Sequence, residues 1–259
     1  MLTTTSVVSR ADEIRLKLLF QKKEWKMSLM SPKKFTKKFI LVLFGPTAVG
    51  KTNLALSLAN YIDVEIINGD MGQLYTPLTI GTAKPDWQTS PVKHHLFDSV
   101  DKPEHYTVVK YRESVIELVH QIWSRGNIPL IVGGSGFYIK SLFFPPLLAS
   151  TRDDLTKKIP DEQLWEMLHQ IDPVRANSIN PQDSYRLRRA LTIWMDTGKP
   201  PSTYVPTFSP PGEFYFSMLT RSKEDLYARI NQRVTEMINC GWIDEVTTLR
   251  NTPWILVRR

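Results

Sequence analysis

From Phe39 onward the chain alternates between short apolar runs and longer segments with helical spacing. Phe39–Phe44 is an unbroken apolar run that ends in a glycine-bearing turn, and the helical spacing of Leu54, Leu58 and Tyr61 follows it. Val64–Ile67 reads as a second strand, ending at Asn68-Gly69-Asp70. Tyr106–Arg125 predicts a long amphipathic helix through Val109, Val115, Leu118, Val119 and Ile122, closed by Gly126. A third strand, Ile128–Val132, ends at Gly133-Gly134-Ser135-Gly136. Apolar runs without alternation, separated by helices, predict parallel strands covered on both faces. Right-handed crossovers then bring all three glycine-bearing loops to one sheet edge, where such folds bind ligands.

Pro145-Pro146 breaks this rhythm, and the next sixty residues carry helical patterns without a convincing strand. Asp183–Thr197 is the clearest helix there, with Leu187, Ala190, Leu191 and Trp194 on one side and Gly198 as its stop. A loop from Pro200 to Pro211 leads into a short strand, Phe214–Leu219, and then a long helix, Lys223–Arg250, interrupted near Gly241. The expected organisation is a basic, disordered extension over 1–38, a core over 39–145, a helical insertion over 146–205, and a return to the core over 206–259.

Composition narrows the class. Of the 259 residues, 42% are hydrophobic and 23% charged, which is ordinary for a globular chain. The longest apolar run, Phe39–Phe44, is far short of the roughly 20 residues that span a bilayer. Nothing after Met1 resembles a secretory signal, so no membrane association and a cytoplasmic location are expected. The single cysteine, Cys240, excludes a disulfide framework and a Cys-rich zinc site. The net charge of +7 resides entirely in residues 1–38, which hold ten bases and three acids. Basicity is therefore a property of that extension, either a mobile terminus or a polyanion-touching arm, and not of the domain.

The chemistry is concentrated at the strand ends. Gly45-Pro46-Thr47-Ala48-Val49-Gly50-Lys51-Thr52 fits G-x-x-x-x-G-K-[ST] between a strand and a helix. The glycines let backbone N–H groups converge on phosphate oxygens, Lys51 adds a positive charge, and the Thr52 hydroxyl can hold Mg2+. The pattern predicts a P-loop NTPase-like α/β fold: a parallel sheet flanked by helices, with the helical insertion added. Asp70, facing the same edge, suits either support of magnesium through water or a general base beside the reacting phosphate ester. Arg186, Arg188 and Arg189, taken alone, read first as a solvated charged face. Arg229 and Arg233 share a helix face, where a structural role or a reach toward phosphate is open. His94-His95 lacks partners at metal spacing and reads as a structural, hydrogen-bonding pair.

Together, GPTAVGKT at 45–52, EIINGDMGQLY at 65–75, IGTAKP at 80–85, HHLFD at 94–98 and IPLIVGGSGFYIKSL at 128–142 resemble the tRNA dimethylallyltransferase (tRNA isopentenyltransferase) family. DSYRLRRALTIWMDTGKPPS at 183–202 and LYARINQRVTEMINCGWIDEV at 226–246 extend the resemblance in order to about residue 250. It implies transfer of a dimethylallyl group from dimethylallyl diphosphate to the exocyclic amine of the adenosine 3′ of the anticodon. By the same resemblance Asp70 is the general base, and Thr47, Lys51 and Arg233 hold the departing diphosphate, with Thr52 at the magnesium ion. Asp70, Met71, Gly72 and Gln73 would contact the target adenosine. Ser135 and the stretch Tyr185, Arg186, Leu187, Arg188 and Arg189 would contact the tRNA anticodon stem-loop. A monomer is expected.

The chain departs from the family pattern at several places. Met71 stands where a serine is usual, Gly72 follows it, Ser135 replaces a threonine, and Val49 replaces a small P-loop residue. Family members continue past GWIDEV with further helices, whereas Trp254–Arg259 matches none of that pattern. The expected consequence is exposed apolar sheet surface and marginal stability, at about 1.5–3 kcal/mol for each large side chain left unburied. Rival readings of the same P-loop are a small-molecule or nucleotide kinase, an adenylate isopentenyltransferase, or an impaired relative that binds RNA without turnover.

Overall fold

A computed structural model describes residues 38–143, 156–204 and 211–256. The extension expected over 1–38 lies, up to residue 37, outside the described residues. So do the Pro145-Pro146 break, residues 205–210 of the proline-rich loop, and residues 257–259.

Five strands are described: β1 (Phe39–Phe44), β2 (Val64–Asn68), β3 (His94–His95), β4 (Ile128–Gly133) and β5 (Glu213–Met218). All pair in parallel, in the order β3-β2-β4-β1-β5. The helices of the described chain are α1 (Lys51–Ala59), α2 (Val108–Ser124), α3 (Gly136–Ser141), α4 (Asp161–Ile171), α5 (Pro173–Asn177), α6 (Ser184–Thr197), α7 (Lys223–Asn239) and α8 (Trp242–Arg250). The interruption expected near Gly241 in the helical segment 223–250 divides it into α7 and α8. Gly241, at φ +97°, lets the chain turn between them where an L side chain would be strained.

Two compact units emerge. The first holds the sheet and comprises residues 38–106, 114–136 and 211–256; the second holds 107–113, 137–143 and 156–204. In the first unit every residue of β2 is buried, matching its lack of alternation. Leu43, Ile66 and Leu130 pack against Ala55 of α1 on one sheet face. Their neighbours Ile40, Val42, Ile67 and Ile131 point to the opposite face and are at most 1% exposed, so both faces are covered. Among the described strands, β5, one of the two edge strands, presents apolar side chains outward, with Phe216 and Met218 exposed.

β3 was not foreseen as a strand. His94 and His95 pair with Ile66 and Ile67, and the ring of His95 lies 2.6 Å from the Glu65 carboxylate. That carboxylate also takes two bonds from Arg125, both 2.7 Å, and one of 2.8 Å from Asn127. Burial alone would push Glu65 up, but the Arg125, His95 and Asn127 donors outweigh it and bring the carboxyl down to about 2. The His94 ring bonds the Val92 carbonyl at 2.7 Å. The histidine pair therefore fills the hydrogen-bonding role expected of it.

The second unit has its own core, in which Leu164, Leu168, Ala176, Leu187, Ala190 and Leu191 cluster. Asp172 caps α5 by accepting from Arg175 N at 3.0 Å and also accepts from Ser202 N at 2.6 Å. Burial pushes its carboxyl up, yet the Ser202 and Arg175 N–H groups lower it further, and the net displacement is downward.

Candidate active site

The phosphate-binding motif occupies the turn from β1 into α1. A Cβ at Gly45 would stand 2.5 Å from the Leu219 carbonyl oxygen, so that position accepts only glycine. Ala48 takes the left-handed conformation, at φ +59°, which an L residue holds only when its surroundings enforce it. Three arginines supply that enforcement. Arg233 Nη1 donates to Thr47 Oγ1 at 3.3 Å, Arg229 Nε to the Ala48 carbonyl at 2.8 Å, and Arg221 Nε to the Val49 carbonyl at 2.9 Å. Arg229 and Arg233 are one turn apart on α7, so the helix reads successive P-loop residues from one face. Val49 is itself buried, which its larger side chain permits.

Lys51 donates its ammonium to the carbonyls of Gly45, at 3.0 Å, and Pro46, at 2.8 Å. Burial lowers its pKa, the Asp70 carboxylate opposes this, and Arg233 adds to it. Burial likewise lowers Arg233, against Asp70 and Glu236. Two half-buried cations thus lie close enough to repel each other, an arrangement that an arriving polyanion relieves.

Asp70 follows β2 and opens a short 3-10 turn, Met71–Leu74. Its Oδ1 accepts from Gly72 N at 2.9 Å. The fully buried Asn68 clamps its backbone from both sides: Oδ1 accepts from Asp70 N at 2.8 Å, and Nδ2 donates to the Asp70 carbonyl at 2.9 Å and the Leu96 carbonyl at 2.8 Å. Ser135 Oγ accepts from Met71 N at 3.0 Å. The hydroxyl read as an RNA contact is therefore also a fastener for the Asp70 turn.

All of the P-loop except Val49, together with Asp70, Gln73, Ser135 and Arg233, lines one cleft of ≈ 860 Å3. A smaller cavity of ≈ 260 Å3 shares Thr47, Asp70, Thr82 and Arg233 with it and adds Gly72 to its wall. Met71 lines neither cavity, and its N–H is taken up by Ser135 Oγ. The cleft volume suits a medium-sized ligand, with a cationic wall and the carboxylates of Asp70 and Glu236 in its lining.

The expected RNA-contacting stretch on α6 does not act as a block. Tyr185 is 76% exposed, and Arg186, mostly exposed, pairs with Asp183 at 3.2 Å. Leu187 is fully buried in the second unit's core, which corrects the expectation that it meets RNA: its position on the apolar stripe with Ala190 and Leu191 turns it inward. Arg188 donates to the Thr156 and Ile159 carbonyls and pairs with Asp161, so it fastens its own unit. Arg189 is half-buried.

The sheet order, the P-loop at β1 and the cationic helix define a P-loop α/β protein whose cleft sets a carboxylate beside the phosphate-binding sequence motif. Residues 73–256 match the family described as IPP transferase. A tRNA dimethylallyltransferase of Pseudothermotoga lettingae is 40% identical over 218 residues, covering 81% of this chain and 69% of the relative. A solved tRNA isopentenylpyrophosphate transferase of Bacillus halodurans aligns with a TM-score of 0.58 at 32% identity, over 83% of this chain and 71% of that one. A eukaryotic dimethylallyltransferase, solved acting on tRNA, aligns with a TM-score of 0.70 at 28% identity, and this chain spans 56% of its length. The chain belongs to the tRNA dimethylallyltransferase family.

Proposed function

We propose that this chain transfers a dimethylallyl group from dimethylallyl diphosphate to the exocyclic amine of the adenosine 3′ of the anticodon in tRNA. One observation carries the reading: the P-loop and Asp70 line the same cleft, with Arg233 on Thr47 between phosphate site and carboxylate. The P-loop N–H groups, Lys51, Thr47 and Arg233 bind the diphosphate. Thr52, which lines the cleft, would hold a magnesium ion through its hydroxyl. That ion would neutralise charge on the leaving group.

In the reaction the bond between the allylic carbon and the diphosphate oxygen breaks, and the electron pair leaves with the diphosphate. The adenine nitrogen forms the new bond to that carbon, and Asp70 takes the proton the nitrogen loses. Positive charge spreads over the allyl group while negative charge grows on the diphosphate, so fixed donors at Lys51, Thr47 and Arg233 favour the transition state. A base in a single-stranded loop is extruded toward Asp70 more cheaply than one in a duplex. On the second unit, exposed Tyr185 and Arg186, with Arg189, are the RNA contacts we propose. Tyr185 offers a stacking face and the arginines offer charge.

The test is transfer of label from dimethylallyl diphosphate to unmodified tRNA with magnesium, comparing this chain with Asp70→Ala. Label in RNA that disappears in the variant is the expected result. ATP turnover with a small acceptor, and no labelled RNA, would instead support the kinase reading.

A further inference from the structure

The cleft wall opposite in sequence to the P-loop is the segment 79–85, which follows the Asp70 turn and contributes Thr79, Ile80, Thr82 and Ala83 to the lining. The backbone N–H groups of Thr79, Ile80 and Gly81 converge on a single carboxylate. Glu245 of α8 accepts from Thr79 and Ile80 on Oε2, at 3.0 and 2.7 Å, and from Gly81 on Oε1 at 3.0 Å. Consecutive N–H groups aimed at one point form an anion nest, and here the anion is a side chain of the protein. Trp242 of α8 closes over the same place: a Cβ at Gly81 would stand 2.2 Å from its indole nitrogen.

The far side of this segment grips the Asp70 turn. Gln73 Nε2 donates to the carbonyls of Thr82 at 3.0 Å and Ala83 at 3.3 Å. A Cβ at Gly72 would meet Thr82 Cγ2 at 2.8 Å, so the two segments touch without room for a side chain. Lys84 pairs with Asp98 and donates to the Tyr75 carbonyl at 2.8 Å. A continuous set of contacts therefore runs from α8 through residues 79–84 to Gly72 and Gln73.

We propose that Glu245 is a positioning residue for the acceptor side of the site. Its carboxylate fills the nest at 79–81, holds 79–85 against Gly72 and Gln73, and so sets where the acceptor base lies beside Asp70. The inference rests on the transferase reading of the cleft and deepens it. Different helices thus serve the two sides of the site: α7 braces the P-loop through Arg229 and Arg233, and α8 braces segment 79–81 through Glu245.

The experiment compares the full chain with Glu245→Ala and with Glu245→Gln, which keeps one accepting oxygen. Amide hydrogen exchange and label transfer are both read. In Glu245→Ala the amides of 79–83 and 71–73 are expected to exchange about tenfold faster while 45–52 stays protected, with Glu245→Gln in between. In transfer, kcat/KM for tRNA falls about tenfold or more, and KM for dimethylallyl diphosphate stays within about twofold. Sodium formate, a carboxylate small enough to re-enter the nest, restores part of the activity of Glu245→Ala and part of the protection of its 79–83 amides. Faster exchange spread evenly over 45–52, equal loss toward both substrates, or no response at 71–73 would overturn the proposal. If Glu245→Ala does not fold, Glu245→Gln carries the same comparison. A wild-type chain that transfers no label defeats the transferase reading alone, because the exchange pattern still decides whether Glu245 holds the segment.

Discussion

Two carboxylates five residues apart show how differently one strand treats the same chemical group. Glu65, near the start of β2, is buried and takes two bonds from Arg125 and further contacts from His95 and Asn127. Asp70, just past its end, takes a bond from Gly72 N and lines both cavities. Around Glu65 the partners satisfy the carboxylate itself. Around Asp70, Asn68 and Ser135 fix the backbone and leave the carboxylate to the cleft. The protein stabilises one group by completing its hydrogen bonds and prepares the other by holding its frame.

The largest expected effect breaks this comparison at Asp70. Asp70→Ala should lower label transfer by about 10²–10⁴-fold, the range for a general base, while the thermal midpoint stays near that of the parent. At Glu65 the same kind of change should do the reverse. Glu65→Ala should cost about 2–4 kcal/mol in denaturant unfolding, because His95 and Asn127 lose their partner, and leave KM for both substrates unchanged in the folded fraction.

Acid sharpens the contrast. The folded Glu65 carboxyl lies at about 2, below its ordinary 4.5, so the unfolded chain takes up the proton first. The stability this provides is complete above about pH 4.5 and is lost as pH falls toward about 2, by about 3 kcal/mol in all. Unfolding followed across that window should show the loss, and Glu65→Gln should flatten it. The smallest effect is expected at the frame. Asn68→Ala should slow transfer about tenfold without abolishing it, since the base remains but its backbone is released. A rate equal to that of Asp70→Ala would mean that Asn68 does more than position.

Tyr185 and Leu187 carry the same lesson on the second unit. They are two residues apart on α6, yet one is 76% exposed and the other fully buried. A resemblance that covers a stretch assigns both to RNA, whereas helical geometry turns one of them into the core. Arg188 was similarly legible as a cation, but its Thr156, Ile159 and Asp161 partners come from a segment about thirty residues earlier.

By itself the sequence determined what depends on neighbours along the chain. Continuous apolar runs specified parallel strands buried on both faces, G-x-x-x-x-G-K-T specified a phosphate-binding turn before a helix, and Asp183 with Gly198 bounded α6. These follow from period, cap and backbone freedom, which a short window contains. Tertiary structure alone decided which distant groups meet. Arg221 and Arg229 reach P-loop carbonyls 172 and 181 positions away, and Glu245 reaches the N–H of Thr79 across 166. β3 exists because β2 offers its edge to two histidines whose own sequence favours no strand. Hydrogen bonds between remote segments leave no periodic trace in either one. They form only when the sheet has brought both partners to the same edge and excluded the water that would otherwise satisfy them.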